Sequence, residues 1–167
     1  MSAARTPALT VELRRTVRSG YAPSQREIAH WASLALGRRA RGAQLSLLLV
    51  GPARSRALNA RYRGRDKPTN ILSFPAMAAA PTLPAAASNR PLGDLVICPS
   101  VLRAEARAQG KSERAHWAHL IVHGVLHLIG YDHEHAADAQ RMERREIRVL
   151  RRLGFPNPYR PAGAEHG

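Results

Sequence analysis

Residues 123–133 read HGVLHLIGYDH, and no other stretch constrains the chain as much. On an α-helix, residues four apart share a face, so His123 and His127 can direct two imidazoles at one point. Gly130 ends such a helix, because glycine adopts the left-handed backbone that reverses the chain, and three residues later His133 can return to the same point. Three neutral imidazoles suit a borderline-soft divalent ion such as zinc. Three protein ligands also leave a fourth position for water, which is the arrangement of a catalytic site. The spacing therefore predicts one divalent ion, taken as Zn2+, on His123, His127 and His133. His135 is a rival third ligand, but its place just beyond the turn suits a helix start. His116 and His119 fall on the face of the first two histidines, where they can pack or orient a ligand ring. Asp132 and Glu134, beside the third histidine, are like His119 candidates for hydrogen bonds that hold the ligands in place.

The histidine and glycine spacing equals that of the metzincin proteases, H-E-x-x-H-x-x-G-x-x-H. The glutamate that acts as general base there is Gly124 here, which has no side chain to take a proton. Ordinary peptide hydrolysis is disfavoured, and a metallopeptidase is the weakest of three functional readings.

Around this motif the chain reads as one domain, residues 1–167, long enough to bury a core without staples. LTVELR suits a strand. PSQREIAHWASLALGR suits a helix opened by a Ser24–Glu27 capping box. AQLSLLLV, TNILSFP and LGDLVICP read as further strands, with GPARSRALNARYRG a short helix after the first of them. From Pro99 the chain turns helical in three segments, the middle one capped by Ser112 and carrying the first two histidines, the last closing at Gly154. Residues 76–90, rich in Ala and Pro, read as a surface loop insert, and the Pro- and Gly-rich tail from about 156 is expected to fray. The class predicted is α+β, a small mixed β-sheet of about four strands packed with about five helices, the central one carrying the metal-ligand histidines.

Twenty-six basic against 12 acidic side chains give a formal charge of +14, which favours a polyanionic partner such as RNA. Of the 26, 24 are arginine, a bias that GC-rich coding also produces. No apolar stretch approaches the roughly 20 residues of a membrane span, and the N-terminus lacks a signal-peptide core. The single Cys98 excludes a disulfide framework and reads as a small core residue. A cytosolic protein with no membrane association is expected; oligomeric state is not legible.

HGVLHLIGYDH, together with ALNARYRGRDKPTNILSFP, LGDLVICP and AHLIVHGVLHLIGYDH in this order, resembles the bacterial YbeY family, metal-dependent endoribonucleases implicated in ribosomal RNA maturation. The resemblance spans about residues 45–155. It implies that His123, His127 and His133 hold the metal and that Arg63 has a catalytic, phosphate-binding role. It further implies single-stranded ribosomal RNA as substrate, 16S RNA 3′-end processing and ribosome quality control as the setting, and the small ribosomal subunit as partner. On chemistry alone, a guanidinium grips phosphate through two N–H groups, although RYRGRDK also suits a solvated basic turn. Arg61, Asn70 and Ser73 are the remaining candidates for substrate binding. The rival to the nuclease is a non-catalytic RNA-binding ribosome assembly factor whose metal is structural, which three rather than four ligands speak against.

Overall fold

A computed structural model describes residues 8–18, 20–76 and 90–160. The expected loop insert falls almost wholly outside them. Strands β1 (Thr10–Arg15), β2 (Ala43–Leu49), β3 (Ile71–Pro75) and β4 (Arg90–Ile97) form one sheet in the order β1-β2-β4-β3. The first two pairings are parallel and β3 runs antiparallel to β4, so the sheet is mixed. Helices α1 (Gln25–Leu36), α2 (Pro52–Arg63), α3 (Pro99–Ala108), α4 (Glu113–Leu128) and α5 (Ala136–Arg152) complete the fold, with a short 3-10 turn at Gly37–Ala40. The class is α+β, as the sequence predicts. Among the described residues no helix is long and apolar enough to cross a membrane.

The alternation of β2 decides which face is covered. Leu45, Leu47 and Leu49 are buried while the residues between them are only partly so. They join Leu95 and Ile97 of β4 and Ile71 of β3 beneath Trp31 of α1 and Trp117, Ile121 and Val125 of α4. Each such side chain contributes about 1.5–3 kcal/mol on leaving water. The opposite face is thinner, with Val50, Leu72 and Val96 packed under Leu58 of α2 and Phe74. Ser24 and Glu27 form the expected capping box on α1, and the Ser112 hydroxyl accepts from the Ala115 N–H at the start of α4.

Helix α4 is the hub, touching α1, α3, α5, β3 and β4. Its close approach to the sheet depends on Gly124. A Cβ there would lie 2.7 Å from Ile71 Cδ1 and 2.9 Å from Leu95 Cδ2, so only a missing side chain lets the helix lie this flat. Because successive helical residues are rotated by about 100°, a Gly124 that faces the sheet turns His123 and His127 to the rim beside β3, where a cleft opens.

Candidate metal centre

The cleft has a volume of about 670 Å³ and is lined by His119, His123, His127 and His133, by Arg63 at the end of α2, and by Asn70, Ile71 and Ser73 from β3 and its approach. Its far wall comes from Glu105, Lys111 and His116 and from Pro158, Tyr159 and Arg160. The last three belong to the stretch expected to fray, of which residues 156–160 are instead held here while 161–167 lie outside the described residues. Phe155 packs edge-on against Trp31 at 5.6 Å, which anchors the chain so that residues 156–160 fold back across the site.

Helix α4 supplies His123 and His127, and the turn after it supplies His133. Gly130 has φ +102°, the left-handed region the sequence calls for at this reversal. One ligand nitrogen from each of the three rings lies within 4.8 Å of the others. The donor set fits a cation. The His127 Nδ1–H donates to the Tyr131 carbonyl at 3.0 Å and the His123 Nδ1–H donates to Glu146 Oε1 at 3.2 Å. Each Nε2 therefore carries its lone pair toward the other, 3.1 Å away. Two nitrogens on a tetrahedral zinc at about 2.0–2.1 Å would stand about 3.3 Å apart. Burial, reinforced by the charges of His123, His133 and Arg63, pushes the His127 ring down to about 4, so at neutral pH the ring is in the neutral form that a metal ion would require.

Glu146 is the group that sequence reasoning missed. It is 0% exposed on α5. Burial alone would raise its pKa, but hydrogen bonds from His119 at 2.6 Å and from His123 outweigh this and hold it near 2. Tyr159 Oη–H donates to both carboxylate oxygens at 2.9 Å. Burial and the adjacent carboxylate raise the tyrosine pKa, so the phenol keeps its proton. Glu146 thereby fixes the tautomer of His123. His119 acts through this carboxylate and not on a ligand directly, and burial lowers its pKa so that the ring stays neutral. A signal existed: Glu146 occupies the same face of α5 as the buried Met142, Val149 and Leu150, a carboxylate on an apolar stripe.

The other candidates divide. Asp132 Oδ1 accepts the backbone N–H groups of His133 at 2.6 Å and Glu134 at 3.1 Å, so it shapes the turn beneath the third histidine. Glu134 is exposed and contributes its N–H to that turn. Asn70 lines the cleft with both ends of its amide committed, Oδ1 to the Ile71 N–H and Nδ2 to Glu105. Glu105 also pairs with His116 Nε2 at 3.0 Å, a second carboxylate and histidine contact that the sequence did not reveal. Ser73 Oγ reaches the Gly124 carbonyl at 3.4 Å. Arg61 is not among the cleft residues; its guanidinium lies 5.4 Å over the Tyr62 ring.

The sequence pattern of the family described as "Endoribonuclease YbeY" matches residues 18–154. The chain belongs to the YbeY family. It is 51% identical over 138 residues to a YbeY endoribonuclease of Halorhodospira halophila, covering 83% of this chain and 88% of that one. It is 50% identical over 158 residues to one of Alkalilimnicola ehrlichii, covering 92% and 93%. The solution structure of a Thermotoga maritima protein shares the fold at a TM-score of 0.53 and 19% identity, over 90% of this chain and 99% of that one. The YbeY match begins at residue 18, so it takes in α1, which the resemblance over about 45–155 leaves out.

Proposed function

We propose that the chain is a metal-dependent, single-strand-specific endoribonuclease that matures ribosomal RNA at the 16S 3′ end and serves ribosome quality control, with zinc held by His123, His127 and His133. The observation that carries this reading is one cleft that combines a three-imidazole donor set with Arg63. When bound, the ion supplies Lewis acidity toward a phosphoryl oxygen or acidifies a water. Arg63 grips non-bridging phosphate oxygens through its paired N–H groups and stabilises the charge that grows on them. Glu146 and the Tyr131 carbonyl hold the two helical rings in the tautomer that keeps Nε2 free. Asn70 keeps the β3 wall in place through Glu105, and Ser73 offers a hydroxyl beside it. A small-subunit partner and a cytoplasmic site of action accord with this substrate.

The peptidase alternative lacks its base for a structural reason, since Gly124 faces the sheet and has no room for a side chain. The test is cleavage of ribosomal RNA by zinc-loaded protein beside chelated protein and folded His127→Ala and Arg63→Ala variants, at about 0.15 M salt to suppress weak binding. Activity lost in all three controls supports the nuclease. Binding of RNA by all four preparations with cleavage by none would favour the assembly-factor reading.

A further inference from the structure

Helix α5 presents a second surface whose chemistry the cleft does not use. Arg141, Arg144, Arg145, Arg148, Arg151 and Arg152 all fall, at about 100° per residue, within an arc of about 120° on the side turned away from Glu146. All are exposed except Arg145, whose guanidinium donates to the Ala35 carbonyl at 3.3 Å. Among the described residues none of the six pairs with a carboxylate. The helix macrodipole accounts only for Arg151 and Arg152 in the last turn, since its effect fades within a turn of the end. Arg141, Arg144 and Arg148 lie further in, spaced three and four apart, where like charges repel along the helix. All six arginines of α5 lie on this arc, and the other 18 of the chain lie on other segments.

One end of the stripe lies beside the turn that carries His133. Arg141 lines a small cavity of about 340 Å³ with Arg39 and Asp138 and with Ile129, Gly130, Tyr131 and Asp132 of the turn that leads to His133. We propose that the α5 stripe is an RNA-backbone track, which takes the phosphates of a single strand leaving the cleft past His133 and runs from Arg141 to Arg152. The proposal rests on the nuclease reading for its ligand. Its cations advance along the helix in steps of about 4.5–6 Å, so several successive phosphates can be held without any contact to a base.

The test measures affinity against salt for two uncleavable 2′-O-methyl RNAs, one short enough to fill only the cleft and one extended by about ten nucleotides. The variants are the triple Arg144→Gln, Arg148→Gln, Arg151→Gln, and a control triple Arg15→Gln, Arg26→Gln, Arg107→Gln, which removes the same charge from exposed positions on three other elements. Glutamine keeps helix propensity close to that of arginine. Single strands lose about 0.7 in log-log salt slope for each phosphate contact removed, so the stripe variant should lose about 2 for the long RNA, with at least a tenfold weaker Kd. Its affinity for the short RNA and its cleavage of a short substrate should not change. Equal losses in both triples would show that net charge alone is at work and would overturn the track, as would an unchanged slope in the stripe variant. Stripe-dependent binding to phosphatidylglycerol vesicles without an effect on RNA would overturn it in favour of a lipid surface. Loss of metal-dependent cleavage in the parent protein would instead defeat the nuclease reading, so the two failures are distinguishable.

Discussion

Glu146 does most to organise the centre. Its two oxygens, themselves buried, receive His119, His123 and Tyr159. Glu146→Gln replaces an ionised acceptor with an amide that cannot accept from all three. It should lower stability by about 2–3 kcal/mol in urea denaturation and weaken zinc binding by about 10–100-fold in a chelator competition. Gly124→Ala tests the opposite kind of constraint. Helix propensity alone would favour alanine by about 1 kcal/mol, yet the added carbon meets Ile71 and Leu95 at under 3 Å, and overpacking of this kind costs about 1–3 kcal/mol. A lower urea midpoint is expected, and a higher one would mean that the helix can lift from the sheet without loss. At this scale the sequence showed the histidines and Gly130 because their geometry is local to one helix and one turn. Glu146 lies 23 residues beyond His123 and meets it only through the packing of α5 on α4, which no short spacing encodes. Gly124 stood out in the sequence as a missing base, and only the packing revealed it as a close approach.

Elements were legible where a period and a cap coincide, as in α1 with its capping box and α4 with Ser112. The parallel pairing of β1 with β2, and the insertion of β4 between β2 and β3, were not, because strand order follows from long-range docking and leaves no mark in any one segment. Residues 156–160 of the tail were misjudged for a related reason: proline and glycine content speaks for local freedom, whereas Phe155 against Trp31 and Tyr159 on Glu146 are tertiary anchors. Tyr159→Phe removes one hydrogen bond to a buried charge and should cost about 1–2 kcal/mol of stability. Between α3 and α4, burial raises the Glu105 pKa, but the hydrogen bonds from His116 and Asn70 outweigh it and leave the value below the ordinary 4.5. The stability this group contributes is complete above pH 4.5 and is lost as pH falls through its folded value. Glu105→Gln should accordingly lose less stability than the parent on acidification below 4.5, measured by thermal melts across that range.

For the whole molecule, a cation that binds only the folded state adds to folding free energy. Free zinc at about 1,000 times its Kd contributes about 4 kcal/mol, which in a domain of this size raises Tm by on the order of 10 °C. Calorimetry with zinc and with chelator should show that interval in the parent protein and its collapse in His127→Ala. The fold gathers the centre from α2, β3, α3, α4 and the segment after Phe155, with Glu146 of α5 behind it, so the order of synthesis has a consequence. A chain emerging from the ribosome presents its three histidines before the carboxylate that orients one of them, and Tyr159 after both. Until those late residues are made, His123 lacks the partner that fixes its tautomer, and the far wall has only Glu105, Lys111 and His116. The centre is thus completed last, by a segment that follows every metal-ligand candidate in the chain and can act only after α5 has docked on α4.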